Sequence, residues 1–250
     1  NKYPVFFFLN KEYACLSEKI LFISKLNPQY IFSHNNSKNI FAKFDIQNKI
    51  KFIPFASNEN IYKNSYKKYD LFFSGILVNK RFKDTYNFAD RENIQNILFY
   101  TFKGLLLKKK FSKKIFWNPN SHNYFINFFN NYKLLSTEKY FKKLSESKII
   151  LNFISPSNLI GTRYFETMHS KSLIMSRYDS SLNFFLKDGH NSIIYKDYDE
   201  FRDKLFYYLN NEKMYNKVVK NSYLDAIRKH TWENRIDYMG KYLLLWFFKL

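Results

Sequence analysis

A chain of 250 residues with 46% hydrophobic and 21% aromatic residues can bury a sizeable core, which excludes a disordered polyelectrolyte. The formal net charge is +20, but only seven of the 41 basic residues are Arg, and Asn, Ile, Phe and Tyr abound. An AT-rich coding sequence produces that bias, so the charge is read first as Lys on solvated faces and only second as a call for an anionic partner.

In chain order, 4–10 (PVFFFLN) reads as a buried strand and 16–26 as a helix with apolar residues at Leu16, Ile20, Ile23 and Leu26. Residues 29–33 and 50–55 read as further strands, with a short helix expected over 39–44. This β-α-β-α-β order predicts a parallel sheet covered by helices, hence an α/β fold. The polar stretch 56–68 reads as a linker, with a boundary near Asn64. A second sheet is expected to start at 70–75 (DLFFSG) and to include 113–117, 149–154, 172–175 and 192–195. Helices are expected at 91–107, 122–131, 137–145 (capped by Thr137), 199–209 and 212–229.

The stretch 147–171, SKIILNFISPSNLIGTRYFETMHSK, is the most informative. An apolar β-branched run leads into a loop of small residues, then Gly161 and a segment of helical spacing. A helix start after a buried strand suits an anion, because its first amides lack partners and the dipole favours negative charge. With Thr162 as N-cap, Thr162, Glu166 and His169 share one face, and Tyr164, Phe165 and Met168 turn to the core. Glu166 then offers an acceptor for paired sugar hydroxyls, and Arg163 with the amides suits a diphosphate. The same spacing is met by a purely structural helix whose Glu166 only complements the dipole.

Five segments occur together in one order: KIKFIPFASN (49–58), YDLFFSGILVNKR (69–81), EKYFKKLSESKIILNFISPSNLIGTRYFETM (138–168), DGHNSIIYKDYDEF (188–201) and HTWENR (230–235). Across 49–237 they resemble the group 1 glycosyltransferases of the two-Rossmann GT-B fold, and the branch related to spore-maturation glycosyltransferases. The resemblance implies two Rossmann-like domains, the N-terminal one short. Residues 1–64 would form a partial acceptor-side domain and 65–232 the nucleotide-sugar-binding domain, with 233–250 a helix packing back on the first. It implies transfer of a sugar from a nucleoside-diphosphate-sugar donor to a glycan, lipid-linked or protein acceptor in surface glycan synthesis. It further implies that no metal or other cofactor takes part. The donor ribose falls to Glu166, and the diphosphate to Gly161, Thr162, Arg163 and Gly75, with Arg81 or Lys80 as a phosphate partner. Relatives that retain configuration carry a second Glu where this chain has Asn158, so no stereochemical outcome is assigned.

Other features point less sharply. His34 after a strand, the group Trp117, Asn118, Asn120 and His122, and Lys171 are secondary candidates for ligand contact. Asp197-Tyr198-Asp199 has the spelling of a metal-binding pair but falls before a helix. Cys15 is the single cysteine, which leaves no disulfide framework and fits a reducing cytosol. No apolar run reaches about 18 residues, so no spanning helix is expected, and no signal peptide is recognised. The expected location is the cytoplasm, with peripheral contact at the inner face of the membrane through 105–114 (LLLKKKFSKK) as a further expectation. The chain begins at Asn1, so an N-terminal portion is expected to be missing. Two rival readings are a degenerate nucleotide- or glycan-binding module and a nucleic-acid-binding protein. The second is disfavoured because the aromatics lie in core-like runs and no nucleic-acid motif occurs.

Overall fold

The computed structural model describes residues 5–10, 15–35, 41, 44–57, 65–75, 115–117, 122–128, 135–154 and 159–248. Two sheets are present. The first has β1 (Phe6–Leu9), β2 (Tyr30–Ser33) and β3 (Ile50–Phe52) in the order β1-β2-β3, all parallel, with Phe6 opposite Tyr30 and Ile31 opposite Ile50. Helix α1 (Leu16–Leu26) joins β1 to β2 and buries Ile20 and Ile23 against Leu9 and Ile31. It ends where Asn27 turns left-handed at φ 46° and donates its N–H to Ile23 O at 2.9 Å. β3 is shorter than the apolar run 50–55 suggests, because Pro54 has no N–H to give a ladder. Most of the expected helix at 39–44 and all of that at 91–107 lie outside the described residues.

The second sheet runs β5-β6-β4-β7-β8-β9, from β4 (Tyr69–Gly75), β5 (Ile115–Trp117), β6 (His122–Phe128), β7 (Ser147–Asn152), β8 (Leu173–Arg177) and β9 (Ile193–Tyr195). Its pairs are parallel except β5 with β6. The helix expected over 122–131 is therefore a strand. Its Tyr, Phe and Ile residues have high strand propensity, and β4 on one side and β5 on the other supply its partners.

Helices α2 (Thr137–Ser145), α3 (Thr162–His169), α4 (Tyr198–Asn210), α5 (Glu212–Lys229) and α6 (Trp232–Phe247) are the remaining α-helices among the described residues. Successive residues of β4, β7 and β8 point to opposite faces, and both faces are covered, which is why these strands read as unbroken apolar runs. Leu71, Ile149, Leu151 and Leu173 pack against Phe201, Leu205 and Val218 of α4 and α5. On the opposite face Phe72 and Ile150 meet Leu144 and Tyr140 of α2, while Ile174 meets Tyr164, Phe165 and Met168 of α3. Helix α2 is capped by Ser136, whose Oγ accepts from Lys139 N at 3.3 Å, and not by Thr137 as the spacing suggested.

The two sheets are tied by their connections. Lys67, near the end of the expected linker, reaches Ser145 O at 3.0 Å, Ser170 O at 3.3 Å and Ser172 Oγ at 2.8 Å. Helix α6 returns to the first sheet, where the Tyr242 ring lies 4.9 Å from Tyr30 and 5.8 Å from Phe32. Beyond that contact Leu243, Leu244 and Leu245 are exposed. Among the described residues no helix is long and apolar enough to cross a membrane.

Candidate functional site

Strand β4 has β6 on one side and β7 on the other, so the order of strands reverses direction beside it. In an open α/β sheet a crevice forms outside the carboxyl ends of the strands at such a point. Gly75 ends β4 there, Asn152 ends β7, and α3 starts at the same edge because it runs back along the sheet. Trp117 and His122 pair with each other at the opposite end, where β6 begins beside the start of β4, so they do not face this edge. Asn118, Asn120, Asn158, Lys80 and Arg81 lie outside the described residues.

Helix α3 begins one residue earlier than its spacing suggested. Gly161 is the N-cap at φ −71° and ψ 166°, which makes Thr162 the first helical residue and moves Glu166 into the second turn. Among the described residues, a Cβ added at Gly161 would meet nothing within 4 Å in front of the first turn. The turn is anchored from beneath. Asn152 Nδ2 donates to Thr167 Oγ1 at 3.1 Å, and Thr167 Oγ1 donates to Arg163 O at 2.7 Å.

Glu166 stands at the head of this face. The Tyr140 hydroxyl of α2 donates to its Oε2 at 2.8 Å, and the Thr162 hydroxyl is a second partner. Burial pushes the Glu166 carboxyl above the ordinary carboxylate range, against the opposing pull of the Tyr140 hydrogen bond, the Arg163 charge and Thr162. The Arg163 guanidinium lies 5.9 Å from the centre of the Tyr140 ring. Its Nε is buried and has no hydrogen-bond partner among the described residues. A buried donor in that condition is costly, and an anionic ligand would relieve it. A carboxylate acceptor, a cation with spare donor capacity and the first amides of a helix thus converge on one open edge.

His169 does not share that surface. It is buried, with Nδ1 3.0 Å from Phe165 O, because α5 covers the side of α3 that sequence spacing left exposed. Lys171 follows the far end of α3 and sits 4.7 Å over the Tyr223 ring. His34 is buried as well, stacked 3.6 Å from Phe55 with Nδ1 2.7 Å from Ile53 O. Asp197 caps α4 by accepting from Glu200 N at 2.9 Å, and Asp188 accepts from Ile194 N at 2.8 Å beside Gly189 at φ 68°. These five groups hold structure.

A second concavity, of about 490 Å³, lies between β3, Phe184 and α6. Arg235, Asn234 and Lys229 in its lining are already committed. Arg235 donates to Pro54 O at 2.9 Å, Phe55 O at 3.0 Å and Lys229 O at 2.7 Å, and sits 3.0 Å from His230 Nδ1. Asn234 Oδ1 accepts from Thr231, and Lys229 pairs with Asp225 at 2.6 Å. The HTWENR segment is therefore a clamp that joins α5, α6 and the chain leaving β3. Neither Tyr140 nor Arg235 stood out in the sequence. A Tyr in an apolar helical stripe needs a partner for its hydroxyl, and that need was the available signal for Tyr140.

The arrangement is a GT-B fold, with parallel Rossmann-like sheets. Residues 117–240 match the family model described as glycosyl transferase-like. Three solved structures illustrate the similarity. Anabaena HepE in complex with UDP-glucose is 10% identical at a TM-score of 0.62, over 97% of this chain and 72% of that one. Sucrose-phosphate synthase from Thermosynechococcus elongatus is 10% identical at 0.60, over 96% and 64%. A variant of S. aureus TarM in a complex that includes UDP is 13% identical at 0.58, over 91% and 46%. No curated protein sequence matches the chain.

Proposed function

We propose that the protein is a nucleotide-sugar glycosyltransferase of the spore-maturation-like branch. It would transfer a hexose from a nucleoside-diphosphate donor to a glycan, lipid-linked or protein acceptor in surface glycan synthesis. The observation that carries this reading is the Glu166 carboxylate in the second turn of α3, which starts at the sheet edge where β4 and β7 end. Glu166 accepts from the donor ribose hydroxyls. Arg163, Thr162 and the amides after Gly161 meet the diphosphate, Gly75 lets the backbone close on it, and Arg81 or Lys80 adds a cation. Charge developing on the departing diphosphate is then stabilised by amides and cationic side chains, without a metal. In this reading 1–64 is the acceptor-side domain, 65–232 the donor domain and 233–250 the returning helix. The protein works in the cytoplasm, with a peripheral hold on the inner membrane face through the basic and apolar segment 105–114, which lies outside the described residues.

Calorimetry of the folded protein with UDP, GDP and ADP tests the reading. One of the three binds, and Glu166→Ala weakens it about 10- to 100-fold, the loss of hydrogen bonds to a charged acceptor. No binding by a folded protein, or equal binding by Glu166→Ala, sinks it. Release of free nucleoside diphosphate from a donor sugar separates a working transferase from a module that only binds.

A further inference from the structure

Helix α2 reads in the sequence as a scaffold helix with Tyr140, Phe141 and Leu144 as its apolar stripe. The structure gives one member of that stripe a polar task. The Tyr140 ring packs 6.2 Å from Phe72 and 5.4 Å from Phe141, which fixes its plane, while its hydroxyl reaches across to α3 and donates to Glu166 Oε2 at 2.8 Å. The same ring lies under the Arg163 guanidinium at 5.9 Å. We propose that Tyr140 is a positioning residue of the donor site, holding Glu166 as a fixed acceptor and Arg163 beside it. The assignment rests on the donor reading above.

The chemistry follows from what each group can give. A carboxylate has about four lone-pair positions and a phenol one O–H. Tyr140 takes one position on Oε2 and the Thr162 hydroxyl a second, which leaves about two for a pair of vicinal hydroxyls, so these bonds orient the acceptor without filling it. Its own proton stays in place, because burial raises the phenol pKa and the Glu166 charge acts in the same direction. Among the described residues, the titratable and charged groups that face Glu166 are Tyr140 from α2 and Arg163 on its own helix, with the Thr162 hydroxyl between them. The Tyr140 hydrogen bond and the Arg163 charge both favour the ionised carboxylate against burial. Removing the Tyr140 hydroxyl therefore does two things. The Glu166 side chain regains rotamer freedom that binding must then quench, and its carboxyl titrates at higher pH.

Tyr140→Phe keeps the ring and deletes one O–H. The ¹³C resonance of the Glu166 carboxyl, followed through a pH titration of the unliganded protein, shifts its midpoint upward in Tyr140→Phe relative to wild type. Affinity for UDP, GDP or ADP, whichever the wild type binds, falls about three- to tenfold at pH 7. The acid limb of binding moves to higher pH, and the same substitution placed on Glu166→Gln changes affinity less than twofold. A Glu166 midpoint equal in wild type and Tyr140→Phe overturns the assignment, since it shows the hydrogen bond is not made in solution. A shifted midpoint with equal nucleotide affinity in the two proteins also overturns it, while leaving the donor reading intact. Failure of wild type to bind any of the three nucleotides removes the donor reading and this assignment together.

Discussion

Arg163 and Arg235 each lie over an aromatic ring, at 5.9 Å from Tyr140 and 5.7 Å from Phe165, yet they do opposite work. Arg235 is nearly buried and directs its N–H groups at three backbone carbonyls and at His230. Arg163 keeps a buried Nε without a partner among the described residues, next to a carboxyl whose charge burial resists. The cavity beside Arg235 encloses about 490 Å³, yet the edge beside Arg163 is the better candidate for a ligand. Polar capacity left over after folding marks a site better than concave volume does, because a ligand must be given something to bond.

The largest expected effect falls on the clamp. Arg235→Ala strands the carbonyls of Pro54, Phe55 and Lys229, each at a cost of about 1–3 kcal/mol, so unfolding in urea shows a loss of at least about 3 kcal/mol. Nucleotide affinity of the protein that remains folded stays within twofold of wild type. A large loss of affinity with unchanged stability would reverse the roles of the two arginines.

The clamp is also sensitive to acid. Burial, reinforced by the Arg235 charge, holds His230 down at about 3, and its Nδ1 accepts from Arg235. The unfolded chain takes up that proton near pH 6.5, so stability is complete above pH 6.5 and is lost as the pH falls toward 3. By pH 5 the loss is about 2 kcal/mol, from 1.5 pH units at about 1.4 kcal/mol each. Urea midpoints at pH 7.5 and pH 5 measure it, and His230→Gln, which can still accept from Arg235, flattens the difference.

The site behaves in the opposite sense. A carboxyl whose pKa is raised in the folded state costs stability above that pKa and returns it as the pH falls through it. Glu166→Gln is expected to stabilise the unliganded protein at neutral pH by on the order of 1 kcal/mol while weakening nucleotide binding. A destabilised Glu166→Gln would mean that Glu166 belongs with the clamp.

Local signals carried much of this organisation. The period of α1 and the apolar runs of β4 and β7 were plain because burial on both faces writes itself into consecutive residues. The strand, small-residue loop and helix start around Glu166 were equally visible, since each is set by neighbours in sequence. Strand β6 was read as part of a helix over 122–131 because so short a mix of aromatic, Ile and Asn residues has no period long enough to decide, and only its pairing with β4 and β5 does. Both helix caps at 136 and 161 were displaced by one residue, an offset that turns on backbone angles and not on residue type. The partnership of Tyr140 with Glu166 spans 26 residues and two helices, and Arg235 reaches back about 180 residues to Phe55. Contacts of that kind are made by the fold, so periodicity along one element does not reveal them.

The smallest expected effect is the sharpest test of where a ligand approaches. Gly161 sits at φ −71°, which any residue adopts, and its missing Cβ would meet nothing within 4 Å among the described residues. Ala is a poorer N-cap than Gly but loses less entropy on folding, so Gly161→Ala should change stability by no more than about 0.5 kcal/mol. A methyl group there projects into the open space before the first turn of α3. If a diphosphate is held by the amides of that turn, the methyl group stands in its path and nucleotide affinity falls while the unfolding midpoint does not move. Equal affinity in Gly161→Ala would mean that the ligand passes the helix start at a distance. Glu166 and Arg163 would then meet it through their side chains alone.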